Sequence, residues 1–256
     1  MDKKYFFFDI DGTLTDAKTG IVVPSAKETL RKLEENGHFV AINTGRACYK
    51  SMPVLHDLGL HNMVCYCGGG LVVNDVLVQN KPLPIDIMRD IVKECKQNHI
   101  GYCFILDDSP NYYSDDDLFL KQATYKDKAE FHIDSSFDIN KIENTYKGYV
   151  AVTKQQEHLV PSLQKVGPLR YDPSFIVVQY DKKKEGIIDM MNYLHGDIKD
   201  VVTFGDDTND VAMCDPRWFS IAVGNAVDVL KEKVDYITDT NVNDGIKKAC
   251  EHFGWI

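Results

Sequence analysis

The sequence predicts an α/β protein: a Rossmann-like parallel-sheet core into which a smaller α/β domain is inserted. Three observations predict it. The aromatic run Phe6-Phe7-Phe8 reads as a buried strand and leads straight into Asp9-Ile10-Asp11-Gly12-Thr13. Strand-length apolar runs then alternate with helical stretches, an order that implies parallel strands with right-handed crossovers. Finally, Pro82 and Pro84 interrupt this pattern, and a second set of strands and helices follows before the first resumes near Asp181. The core is therefore placed at residues 1–82 and 181–256, and the inserted domain at 83–180.

Each element has a local reason. After the first strand, Thr15 to Pro24 reads as a loop, and Ser25 with Glu28 as a capping box opening a helix that stops at Gly37. His38 to Asn43 is the second strand, and Thr44-Gly45-Arg46 stands at its C-terminal end, where open α/β sheets bind ligands. A helix is expected over Tyr49 to Leu58 despite Pro53, then a strand from Met63 to Cys67. Gly68-Gly69-Gly70 lacks the spacing of a P-loop and reads as a tight turn. It leads to a hairpin, Leu71–Val73 and Val76–Val78, joined through Asn74-Asp75.

In the insertion, Ile87, Met88, Ile91, Val92 and Cys95 give one apolar face to a helix from Ile85 to about Asn98. Strands are expected at Tyr102–Leu106, Gly148–Val152 and Phe175–Tyr180, with a helix around Glu157 to Val166. Asp115-Asp116-Asp117 reads as a solvated turn or a helix N-terminus rather than a metal site. Tyr112, Tyr113 and Tyr125 read as half-buried packing or as a grip on a substrate. The core resumes with a helix from Lys183 or Lys184 carrying Ile187, Ile188, Met191 and Leu194. Strand Val201–Phe204 runs into Gly205-Asp206-Asp207-Thr208-Asn209-Asp210, and a helix follows. Strand Phe219–Val223, Gly224-Asn225, a helix Val227–Glu232, strand Asp235–Thr238 and a C-terminal helix from Asp244 complete the chain.

Composition excludes several function classes. In 256 residues, 44% hydrophobic content supports a packed core, and a formal net charge of −10 argues against a nucleic-acid partner. Seven cysteines are scattered, and Cys65-Tyr66-Cys67, with both thiols on one strand face, has no second pair to complete a zinc site. Buried reduced thiols are expected. No leader precedes the first strand and no apolar run is of transmembrane length, so a cytoplasmic protein without membrane partners, a monomer or weak homodimer, is expected.

Chemistry is expected where strands end in carboxylates. In an extended strand Asp9 and Asp11 share one face, and carboxylates that close together call for a cation or a shared proton. Oxygen ligands suit a hard ion such as Mg²⁺.

Asp9-Ile10-Asp11-Gly12-Thr13 after an apolar strand resembles the nucleophile motif of the haloacid dehalogenase-like hydrolases. Asn43-Thr44-Gly45-Arg46, Lys182-Lys183-Lys184-Glu185-Gly186-Ile187 and Gly205 to Asp210 resemble the family's other three motifs, in family order. The insertion falls where the Cof-type subgroup carries its α/β cap. The resemblance implies a Mg²⁺-dependent phosphatase of small phosphorylated metabolites, sugar phosphates foremost, that forms an aspartyl-phosphate. Asp9 is then the nucleophile and Asp11 the general acid and base, while Thr44, Gly45, Lys183 and Asn209 hold the phosphoryl oxygens. Asp9, Asp206 and the backbone carbonyl of Asp11 would hold Mg²⁺, and Asp210 would orient the lysine or a metal-bound water. The Gly186-Ile187 pair selects Lys183 among the three lysines. The inserted lobe is expected to close over the site. Two alternatives stand beside this reading: a phosphomannomutase-like phosphomutase, and a non-catalytic metabolite sensor, which would have lost Asp9, Asp11 or the lysine.

Overall fold

A computed structural model describes residues 2–124 and 129–256. The chain forms two compact units, residues 1–79 with 182–256 and residues 80–181. Tyr125 lies outside the described residues.

The first unit begins with β1 (Tyr5–Phe8), α1 (Pro24–Glu35), β2 (Phe39–Asn43), α2 (Cys48–Asp57) and β3 (Met63–Cys65). The hairpin β4 (Gly70–Val73) and β5 (Val76–Asn80) turns through Asn74 and Asp75, both at positive φ as a type I′ turn requires. Ser25 is not the cap of α1. Pro24 opens the helix after Val23, its fixed φ suiting the first position, where no donor is needed. The third strand stops at Cys65 because Tyr66 and Cys67 turn to φ 50° and 52°, so the two thiols do not share a strand face. The seven cysteines, all among the described residues, form no disulfide, and all but Cys214 are buried.

The second unit contains α3 (Ile85–Gln97), β6 (Tyr102–Ile105), β7 (Asn111–Ser114), α4 (Leu118–Gln122), β8 (Glu130–Ile133), β9 (Lys147–Val150), β10 (Pro168–Asp172) and β11 (Phe175–Val178). Its sheet runs β10-β11-β9-β6-β7-β8, antiparallel except for the β7–β8 pair. Strands β7, β8 and β10 were not expected from the sequence: they are short and interrupted by the polar residues Asn111, Ser114, Glu130, His132, Arg170 and Asp172. The helix expected over Glu157–Val166 is two 3₁₀ segments, Lys154–Leu159 and Pro161–Lys165, because Pro161 cannot continue a hydrogen-bonded turn. One sheet face packs Tyr102, Phe104, Val150, Ile176 and Val178 against Met88, Ile91, Val92 and Cys95 of α3. The other packs Cys103, Ile105, Tyr149 and Val177 around Phe119 of α4. Tyr112 is fully buried there, and the half-exposed Tyr113 stacks on His132, so both are packing residues. Asp115 binds the Tyr102 hydroxyl and Lys96, and Asp116 accepts the Leu118 N–H at the start of α4.

The chain returns to the first unit with α5 (Lys183–Leu194), β12 (Val201–Gly205), β13 (Phe219–Ala222), α6 (Asp228–Lys231), β14 (Tyr236–Ile237) and α7 (Gly245–His252). A 3₁₀ helix, Thr208–Met213, stands where an α-helix was expected after Gly205–Asp210. The eight-stranded sheet runs β14-β13-β12-β1-β2-β3-β4-β5, parallel from β14 to β3. The first strand is central, which explains why Phe6, Phe7 and Phe8 are wholly buried: a parallel strand is covered on both faces. Phe7 packs with Ile187, Met190 and Met191 of α5, and Phe6 meets the Trp255 ring edge-on at 5.0 Å on the opposite side. The C-terminal ends of β1, β2 and β12 therefore lie side by side, and each runs into one of the polar motifs.

Candidate active site

The site is built where these strands stop. Asp9 follows β1 directly, its N–H donating to the Phe204 carbonyl of β12 at 3.0 Å, and its side chain is buried. Strand geometry ends at Phe8, so the two-residue alternation does not carry through to Asp11. Asp9 and Asp11 do not share a face: Asp9 turns inward, while the Asp11 carboxylate is 61% exposed and is gripped by the Arg46 guanidinium through Nε at 3.0 Å and an Nη at 2.5 Å.

Lys183 opens α5 and is fully buried. Its ammonium donates to Asp9 Oδ1 at 2.6 Å and to Asp210 Oδ1 at 2.7 Å. Asp210 Oδ2 accepts the N–H groups of Asp206 and Asp207 at 2.8 and 3.1 Å, so both its oxygens are engaged. Asp206 accepts the Thr13 hydroxyl on Oδ1 at 2.7 Å. Two glycines make these approaches possible. A Cβ on Gly12, at φ +86°, would sit 2.1 Å from Asp206 Oδ2, and one on Gly68, at φ +102°, would sit 2.0 Å from the Lys182 carbonyl oxygen. The neighbouring lysines diverge from the site: Lys182 is exposed, and Lys184 pairs with Asp215 at 3.5 Å.

Three carboxylates and one ammonium leave surplus negative charge in a buried place. Burial alone would pull the Lys183 ammonium down, but the carboxylates of Asp210 and Asp9 outweigh it and hold the group well above the ordinary lysine value. The surplus falls on the acids. Burial, reinforced by Asp210 and Asp206 and opposed by Lys183, pushes Asp9 up to about 8. Burial, opposed by the Thr13 hydroxyl and reinforced by Asp210 and Asp207, pushes Asp206 up to about 7.

Carboxylate oxygens of Asp9, Asp206 and Asp210 lie within 4.8 Å of one another. With Asp210 engaged, Asp9 and Asp206 each keep the oxygen that does not meet Lys183 or Thr13. An all-oxygen donor set with unbalanced negative charge fits a hard divalent cation.

The structure thus brings together Asp9, Lys183, Asp206 and Asp210, and leaves the Asp11 carboxylate outside that cluster. Thr44 is buried just past β2, its hydroxyl accepting the Arg46 N–H at 3.2 Å, with Gly45 between them. Asn209 is half-buried in the first turn of the 3₁₀ helix. Sequence reasoning missed Thr13 and Arg46, and also Asn225 and Asn241, whose side-chain amides donate to the Gly12 and Thr15 carbonyls of the loop after β1. The first two lay inside quoted motifs, and Asn225 followed a strand end. Nothing local marked Asn241.

A family model described as haloacid dehalogenase-like hydrolase matches residues 6–250. YkrA of Bacillus subtilis, provisionally named a phosphatase, is 28% identical over 257 residues, spanning 99% of this chain and 99% of its own. The 5-amino-6-(5-phospho-D-ribitylamino)uracil phosphatase YcsE of the same organism is 24% identical, spanning 99% of this chain and 96% of its own. A solved structure from Geobacillus kaustophilus superimposes with a TM-score of 0.84 at 26% identity, covering 100% of both chains.

Proposed function

The chain belongs to the haloacid dehalogenase-like hydrolases, among their phosphoric monoester hydrolases, and from that premise we propose a Mg²⁺-dependent phosphatase of small phosphorylated metabolites that works through an aspartyl-phosphate on Asp9. The observation that carries the reading is the buried ammonium of Lys183 held between Asp9 and Asp210. A buried carboxylate beside a fixed cation, at the carboxyl end of a parallel sheet, is arranged to meet an anionic group.

Asp9 and Asp206 would hold the metal through carboxylate oxygens, and Asp11 through its backbone carbonyl. Bound there, Mg²⁺ would offset charge on the phosphoryl oxygens. The Asp9 carboxylate attacks phosphorus, and the bond to the leaving oxygen breaks as Asp11 donates its proton to that oxygen. Asp11, now a carboxylate, takes a proton from the water that attacks the acyl phosphate, which frees Asp9 and inorganic phosphate. Lys183, Thr44, Gly45 and Asn209 steady the phosphoryl oxygens, and Asp210 keeps Lys183 charged and aimed.

Sugar phosphates and related phosphorylated polyols are the proposed substrates, in keeping with the phosphorylated ribityl chain in the name of one relative. The inserted unit, with its own sheet and core, is proposed to select the leaving group. Phosphate release measured across a panel of monoesters, including glucose and mannose phosphates, tests this. Turnover of several sugar phosphates with stoichiometric phosphate release is the expected result. Isomerised sugar phosphate without net release would overturn it in favour of a mutase.

A further inference from the structure

We propose that Asn225 and Asn241 are positioning residues for the reaction: their side-chain amides clamp the loop that carries Asp11 and so fix where the proton donor stands. This rests on the reading of Asp9 as nucleophile and Asp11 as acid and base.

The loop after β1 folds back on itself. The N–H groups of Leu14 and Thr15 both donate to the Ile10 carbonyl, at 3.0 and 2.9 Å, and the Thr15 hydroxyl adds a third bond to it at 3.0 Å. The carbonyls of Gly12 and Thr15 are met by side chains from the far end of the chain. Asn225 Nδ2 donates to Gly12 O at 2.8 Å, and Asn241 Nδ2 donates to Thr15 O at 2.8 Å. The Asn241 N–H in turn donates to Asn225 Oδ1 at 2.9 Å, and the Val242 N–H donates to Asn241 Oδ1 at 2.9 Å.

Both amides are thus used at both ends, which fixes their orientation: each must present its NH₂ to the loop. Asn225 stands just past β13, and Asn241 opens the 3₁₀ turn before α7. They bracket the segment from Gly12 to Thr15 from outside, while Thr13 binds Asp206 from inside. The Gly12 carbonyl belongs to the Gly12–Thr13 peptide, which Gly12 joins to the peptide that follows Asp11. If that carbonyl is released, the backbone at Gly12, already at φ +86°, can rotate, and Asp11 moves with it.

A purely stabilising role and a positioning role separate by leaving group. An alkyl alcohol needs a proton as it departs, whereas a dinitrophenolate does not. Up to the first irreversible step, only the alkyl ester senses where Asp11 stands. The test uses full-length Asn225→Ala and Asn225→Asp. The second keeps the side chain's size and its acceptor for the Asn241 N–H but faces the Gly12 carbonyl with an oxygen, so a fold lost in the first variant leaves the test intact. Net loss of one such hydrogen bond predicts a fall of about three- to tenfold in kcat/KM for glycerol phosphate. For 2,4-dinitrophenyl phosphate the fall should be below about twofold, with inhibition by inorganic phosphate unchanged. Equal losses on both esters, or no loss on either, would overturn the proposal. Wild-type-like turnover by Asp9→Asn would instead overturn the nucleophile reading on which it rests.

Discussion

At the scale of single residues, Lys183 carries the heaviest electrostatic duty, because it is fully buried between two carboxylates. Lys183→Ala should lower kcat/KM by about 10²–10³ through loss of a charge aimed at the transferring group. It should also cost about 3–5 kcal/mol of stability, since Asp9 and Asp210 are left buried without their cation. Lys182→Ala and Lys184→Ala, altering exposed or half-exposed groups, should each cost less than about threefold. A large loss at Lys184 with none at Lys183 would refute the assignment. Asp9→Asn should abolish turnover while leaving the fold intact, and Asp11→Asn should be severe.

The acids beside Lys183 predict a pH-dependent grip on metal. Without metal, Asp206 sits at about 7 and Asp9 at about 8 in the folded protein, against about 4 for a carboxyl in an unfolded chain. The folded state then binds more protons than the unfolded chain, so metal-free stability declines as pH rises from about 4 to about 8. A divalent cation requires both groups ionised. The Tm difference between Mg²⁺-loaded and EDTA-treated protein should therefore widen from about pH 5.5 to about pH 8.5. Thermal unfolding across that range checks it, and a difference that stays constant refutes it.

At the scale of elements, the start of α5 is set by a contact between turns. The chain at Gly68 passes so close to the Lys182 carbonyl that no side chain fits, and Gly186 on α5 packs a would-be Cβ 2.7 Å from Gly68 Cα. Gly68→Ala should destabilise the protein by more than about 2 kcal/mol through positive φ and overlap together. It should lower activity as well, because the helix that moves begins with Lys183. Gly37→Ala is the matched control: φ is +85° but nothing lies within 4 Å. It should cost about 1 kcal/mol and leave kcat/KM unchanged. If both variants behave alike in Tm and rate, the contact does not set the helix.

At the scale of the molecule, each unit has its own sheet and buried cluster, and the chain crosses between them near Gln79–Asn80 and Asp181–Lys182. Replacing residues 80–181 by a short flexible linker should leave a core that unfolds cooperatively and hydrolyses p-nitrophenyl phosphate. That core should lose the intact enzyme's ranking of sugar phosphates. Preservation of the full ranking would show that residues 80–181 do not select the substrate.

The sequence by itself determined the order of the core and the places where its strands stop. Parallel strands covered on both faces read as nearly continuous apolar runs, so β1, β2, β12 and β13 are legible to within one residue of their ends. The carboxylates of Asp9 and Asp206 stand out at two of their ends. Strands β7, β8 and β10 were illegible because short, mixed segments owe their conformation to their partners rather than to periodicity. Tertiary structure alone decided the connections of the site. Lys183 meets Asp9 across 174 residues and Asp210 across 27, Arg46 meets Asp11 across 35, and Asn241 meets Thr15 across 226. Local propensity places a charged group at the end of a strand. Which partner it meets, and whether it turns inward like Asp9 or outward like Asp11, is decided only when the sheet sets those ends side by side and burial requires the inward groups to be paired.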